Sequence, residues 1–362
     1  MIGVVQAFSA SYRAARVQFL EGAARAGLAI RSQPHPLPGR EGETLALDTA
    51  RDGPADAERL LIVTSACHGV EGHCGSGVQV FALHDQEWRE KAHAAGVAVL
   101  YVHALNPHGF SWTRRVTHEN VDLNRNFQDF AQPLPDNPAY AELHGLMLPD
   151  AWPPTPENQA AVAAYVARHG VAALQAAVSR GQHRFADGLF FGGKSPTWSN
   201  LAWREVLRRE AGHARRLAWI DVHTGLGPAG IGERIFACLD DAATLARARA
   251  WWGAGLTSVY DGSSTSAFLT GMAFNAVYDA CPQAEYTGMA LEFGTQAFGE
   301  VIEALRGDHW LHQHPEAPPA LAAQIRARLL AAFYTDTDAW KGQVISQARQ
   351  AMFQAVDGLA AA

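Results

Sequence analysis

Cysteine is scarce in this chain. Four stand among 362 residues, Cys67, Cys74, Cys238 and Cys281, and no two form a C-x-x-C pair. So low a count excludes a disulfide scaffold and fits reduced thiols in a cytoplasm. An excess of positive charge is missing too. Lys and Arg number 29 against 36 Asp and Glu, a net charge of −7, which argues against a nucleic-acid partner. No apolar stretch is long enough to span a bilayer, so no membrane partner is expected. No basic leader precedes an apolar core at the N-terminus, and no signal peptide is read there. Internal repeats and extended low-complexity runs are also lacking.

What is present is core-forming material. Hydrophobic residues make up 48% and charged residues 18%, the balance of a globular protein. Phe8, Tyr12, Ala15 and Phe19 follow a helical spacing that ends near Gly27. Arg31 to Arg40 carries three prolines and reads as a loop. Strands are expected at Thr44–Thr49, Leu60–Ala66, Val97–Ala104, from Leu217, at Arg234–Leu239 and at Met289–Phe293. Helices are expected at Gly77–Trp88, on either side of Gly170, up to about Ala211, and at Asp240–Trp252. Two more are expected around Ala320–Phe333 and Asp338–Val356. Pro133 to Pro156 reads as a proline-rich surface segment. Strands alternating with helices point to an α/β fold with a mainly parallel or mixed sheet.

The chemistry gathers at strand ends. The apolar run Leu60–Thr64 leads into His68-Gly69-Val70-Glu71, amid Gly72, Gly75 and Gly77. Imidazole and carboxylate in an H-x-x-E spacing can both reach one divalent metal. Zinc in hydrolytic sites commonly takes three protein ligands and leaves a position for water. The third candidate is His223, where Leu217–Val222 again ends in a polar, glycine-bounded turn. His73, two residues past Glu71, competes as a ligand. Glu292 lies in Ala290-Leu291-Glu292-Phe293-Gly294. A lone acid among apolar neighbours needs an ion partner or a metal, and beside metal-bound water it is placed to act as a base. Arg114, Arg115 and Arg125 share one long irregular segment, Asn106 to Phe127. Guanidinium groups there suit an anionic substrate.

Other patterns carry less. Gly225-Leu226-Gly227-Pro228-Ala229-Gly230 fits G-x-G-x-x-G, but Pro228 and the strand-like residues after it argue against the helix that dinucleotide binding requires. Cys74 and Val78 spoil a G-x-S-x-G elbow around Ser76. Cys67 reads as a buried thiol rather than a nucleophile.

Taken in order, His68/Glu71, Asn124-Arg125, His223 and Glu292 resemble the zinc carboxypeptidase superfamily, including its succinylglutamate desuccinylase/aspartoacylase branch. With Gly188–Gly193 and Leu291–Thr295 the pattern is most similar to a bacterial branch known as domain of unknown function 2817. The resemblance covers roughly residues 60 to 300. It implies one domain over residues 1–362, with C-terminal helices at 316–360 and a mixed sheet of about eight strands between helices. It implies one zinc ion per chain, held by His68, Glu71 and His223, with Asp122 orienting His68. Glu292 would be general base and acid. Asn124 and Arg125 would bind the substrate carboxylate, and Arg114 or Arg115 would polarise the scissile carbonyl. A substrate-closing tyrosine would be Tyr260, Tyr278 or Tyr286. The implied activity is carboxypeptidase-like hydrolysis of a peptide or small amide bearing a carboxylate. An N-acyl amino acid deacylase is the alternative within the class. A non-catalytic metal-binding protein is the alternative outside it.

Overall fold

A computed structural model describes residues 2–361. Its sheet has seven strands: β1 (Ala29–Pro38), β2 (Thr44–Asp52), β3 (Arg59–Thr64), β4 (Ala98–His103), β5 (Arg216–Ala229), β6 (Gly232–Phe236) and β7 (Glu285–Gly294). They lie in the order β1-β2-β4-β3-β5-β7-β6. The β4–β3, β3–β5 and β5–β7 pairs are parallel, and the flanking pairs are antiparallel. The fold is therefore α/β with a mixed sheet, parallel at its centre.

The helices, in chain order, are α1 (Tyr12–Arg25), α2 (Gly72–His84), α3 (Gln86–Ala94), α4 (Pro107–Trp112), α5 (Pro138–Met147), α6 (Pro156–His169) and α7 (Val171–Ser179). After them come α8 (Trp198–Val206), α9 (Ala242–Trp252), α10 (Asn275–Ala280), α11 (Phe298–Gln313), α12 (Pro319–Phe333) and α13 (Asp338–Ala360). Leu60 to Val63 of β3 are all fully buried, because helices cover both faces of a parallel sheet. Opposite coverage is visible on β5. Gly75 of α2 packs towards Val222, while Trp203 of α8 meets Trp219, with ring centroids 5.3 Å apart. Residues of opposite parity on a strand face opposite ways. No single helix among the described residues is long and apolar enough to cross a membrane.

Several segments differ from expectation. The loop expected at Arg31 to Arg40 is edge strand β1. Of its residues only His35 is buried, and an outer edge tolerates Pro34, Pro36 and Pro38 because it needs no further donors. The helix expected at Gly77–Trp88 starts earlier, at Gly72, and stops at His84. Asp85 then caps α3 by accepting the Trp88 N–H. The proline-rich segment holds α5, whose Tyr140, Leu143 and Met147 are buried against a cluster that includes Leu174 and Val178. α11, with no expectation behind it, buries most of its residues. The glycine string at Gly225 runs on as strand β5 rather than opening a helix.

Candidate metal centre and active site

The central strands bring distant residues into register. Thr64 pairs with Asp221 across β3–β5, and His223 pairs with Glu292 across β5–β7. Period-two alternation puts Asp221 and His223 on one face of β5. Beyond β3 the chain turns through Ser65–Cys67 and delivers His68, Gly69 and Glu71 in a short 3₁₀ turn. That turn is clamped by the irregular segment: Gly69 N–H donates to Arg115 O at 3.0 Å and Val70 N–H to Arg114 O at 2.9 Å. A side chain on Gly69 would sit 2.1 Å from the Gly109 carbonyl carbon, so the close approach requires glycine.

His68, Glu71 and His223 converge. Glu71 Oε1 lies 2.9 Å from His68 Nδ1, and Glu71 Oε2 lies 3.0 Å from His223 Nδ1. Each outer nitrogen faces another carboxylate: His68 Nε2 is 3.2 Å from Asp122 and His223 Nε2 is 2.7 Å from Asp221. Two imidazoles and one carboxylate, each offering a ligand atom within 4.8 Å of the others, are a donor set that fits a divalent ion. Cys67, Asp221 and His223 form a second possible grouping. It is the poorer site, because it would take both Asp221 and Nε2 of His223 from each other, around a fully buried thiol. His73 is turned away; its Nδ1 contacts Ser9 O at 3.0 Å.

Around the trio the charges interlock. Arg115 donates to Glu71 Oε1 at 2.9 Å and to Asp122 at 3.0 Å, and its Nη2 reaches His68 Nε2 at 2.8 Å. Phe190 and Phe333 lie against its guanidinium, with ring centroids 5.2 and 5.9 Å away. Arg114 points elsewhere: Asp308 accepts from it at 3.0 Å and Asn120 at 3.0 Å. Burial opposes ionisation of Glu71 and Asp122, yet both stay well below the usual carboxylate range. His68 and His223 hold Glu71 down, and Arg115 with His68 holds Asp122 down. Glu292 goes the other way. Burial first, then the charge of Glu71, push it up to about 7, against the pull of His223 and a 2.9 Å hydrogen bond from Leu226 N–H.

One cavity is lined by His68, His223, Glu292, Arg115, Asn124 and Arg125 together. Asn124 Oδ1 accepts from Ala273 N–H at 2.8 Å, which leaves its amide nitrogen for a ligand. Arg125 is anchored through Ser179 O and Asn124 O, and burial lowers it to about 10. Of the three tyrosines, Tyr260 lines the cavity, with its hydroxyl donating to Cys238 O at 3.0 Å. Tyr286 is buried and donates to Ala237 O, and the Tyr278 hydroxyl accepts from Leu239 N–H. Sequence reasoning gave no role to Asp221, Phe190 or Phe333. The Asp-x-His spacing on a strand carried the signal for Asp221; nothing local marked the two phenylalanines.

Fold and site together define an α/β protein with a candidate two-histidine, one-glutamate metal centre beside the half-buried carboxyl of Glu292. The chain belongs to the family described as a protein of unknown function, DUF2817, whose model matches residues 8–347. No curated protein matches it. Among solved structures it is similar to carboxypeptidase A from Helicoverpa armigera, at 12% identity and a TM-score of 0.45, covering 91% of this chain and 75% of that one. Bovine thrombin-activatable fibrinolysis inhibitor gives 12% identity and a TM-score of 0.47, covering 90% and 96%. A metallo-carboxypeptidase from Pseudomonas aeruginosa gives 14% and 0.40, covering 95% and 68%.

Proposed function

We propose that this chain is a metal-dependent hydrolase that cleaves an amide or peptide bond next to a free carboxylate, in the manner of a carboxypeptidase. The supporting observation is the register of β5 and β7, which sets Glu292 opposite His223 in one cavity with His68. His68, Glu71 and His223 would hold the ion, and a His₂Glu set suits zinc. When bound, such an ion polarises a carbonyl and acidifies water. Glu292 takes the proton of the attacking water and passes it to the leaving amine. Arg115, rather than Arg114, faces the reacting carbonyl and donates to the developing oxyanion. The free amide of Asn124 and the unused N–H groups of Arg125 hold the substrate carboxylate.

The test is metal content together with turnover. Purified protein should carry about one zinc per chain by the three-ligand logic of such sites. His223→Ala should lose most of it. Glu292→Gln should keep the metal and lose turnover on a panel of dipeptides and N-acyl amino acids by at least about 100-fold. A protein that neither holds nor takes up zinc would sink the reading, as would a fully active Glu292→Gln.

A further inference from the structure

The cavity has two unlike halves. One holds the charged groups just described. The other is apolar, with walls that include Ile235 and Phe236 from β6, Val259, Leu269, Met272 and Phe274. The only acid among the lining residues is Glu292, and the only permanently charged cations are Arg115 and Arg125. Both arginines are already engaged, one with Glu71 and Asp122 and the other with backbone carbonyls.

The apolar wall is tied to the proposed carboxylate clamp. Ala273, between Met272 and Phe274, donates its N–H to Asn124, and Phe127 N–H donates to Gly271 O at 3.0 Å. Gly271 has φ +73°, and a side chain there would lie 2.3 Å from Arg125 O, so backbone lies directly on backbone at this point. The apolar surface thus begins where the carboxylate would be held. Phe298, Val301 and Ile302 of α11 add to the apolar lining.

The segment carrying Val259 to Leu269 is pinned over this space from two sides. Glu233 accepts from Thr257 Oγ1 at 2.6 Å and from Thr265 N–H at 3.1 Å. Gln175 of α7 donates to Thr265 O at 3.0 Å. Gln175 and Ser179 line the cavity themselves, so helix and loop meet at its rim.

Resting on the hydrolase reading above, we infer that the substrate is a small N-acyl amino acid whose carboxylate-bearing residue has an uncharged, apolar side chain. A basic side chain would find no free acid beside it. The second carboxylate of a dicarboxylic amino acid would find no free cation, and an unpaired charge in an apolar pocket is strongly disfavoured. The bridged rim excludes a long peptide.

Binding of free amino acids to the zinc-loaded protein, followed by calorimetry, tests the side-chain preference without any turnover. L-phenylalanine and L-leucine should bind at least about tenfold more tightly than L-lysine or L-glutamate, a difference within the range one apolar contact supplies. Leu269→Asp, on the half-buried loop, should reverse the order of L-leucine and L-lysine, a gain that a misfolded protein cannot show. Equal or tighter binding of L-lysine or L-glutamate to the unaltered protein would overturn the inference. So would cleavage of a heptapeptide ending in Phe as fast as N-acetyl-L-phenylalanine. Apolar preference in binding with no hydrolysis of any amide would instead retain the pocket and remove the hydrolase reading.

Discussion

At the scale of single residues, the candidate centre is braced by carboxylates outside the His68–Glu71–His223 trio. Asp221 accepts from His223 Nε2 through Oδ2 at 2.7 Å and from the Thr64 hydroxyl through Oδ1 at 2.5 Å. Thr64 in turn receives the Trp219 indole N–H at 2.8 Å. This buried chain holds the ring in place. Asp221→Asn removes the charge that favours Nε2–H and should weaken zinc binding by about 10- to 100-fold, read by competition with a chelator. Unchanged affinity would make Asp221 a packing residue only. The residues of the converging trio and the acid between apolar neighbours were legible in the sequence, since spacing and polarity are local properties. The choice between Arg114 and Arg115 was not. Both lie on one loop, and the partners that separate them, Asp308 and Asp122, are far apart in the chain.

At the scale of elements, the segment from Asn106 to Phe127 holds the site from outside the sheet. It opens on α4, with Pro107 in the first turn and Asn106 as cap. The Asn106 side chain accepts Gly109 N–H at 2.9 Å and donates to Arg115 O at 3.4 Å. That same carbonyl receives Gly69 N–H, so one asparagine joins the cap to the His68–Glu71 turn. Asn106→Ala should lower stability by about 1 kcal/mol, the usual worth of a cap. It should also weaken zinc binding, because the Gly69 acceptor loses its support. Urea midpoints with and without zinc separate the two effects: an equal loss in both would confine Asn106 to capping. Elements with strong periodicity, such as β3, β4 and α13, were readable because burial imposes the pattern. β1 was not, because an exposed edge strand keeps its prolines and needs no apolar alternation. α5 was masked by the prolines on both sides of it. α12 was placed correctly along the chain, yet the reach of Phe333 into the cavity follows only from how that helix docks, where Thr224 Oγ1 donates to Phe333 O at 2.6 Å.

At the scale of the whole molecule, the sheet order could not be read from the sequence. β3 lies between β4 and β5, and β7 separates β5 from β6, which are crossovers that no local signal specifies. The tightly buried interior that results makes a prediction about acid. His103, on β4, is fully buried, stacks on Phe19 at 4.7 Å and contacts the Ser76 hydroxyl at 3.0 Å. Burial pushes it down to about 4; nearby Asp48 pulls up and Arg16 pulls down, both to a lesser degree. An unfolded chain would hold that histidine near about 6.5. Between these two values the unfolded state binds more protons, so stability falls as pH drops from about 6.5 towards 4. For His103 alone the loss approaches about 3 kcal/mol, a large share of a typical net stability. His309, also fully buried and lowered to about 3 by burial and by Arg114, acts in the same sense. Urea midpoints of the unaltered protein and of His103→Asn, measured at pH 7, 6, 5 and 4.5, isolate the contribution, because every other titrating group is common to both. The difference between the two proteins should shrink or change sign towards low pH, as the variant loses a group that favours the unfolded state in acid. Parallel curves would show that His103 takes up its proton without unfolding the sheet around it.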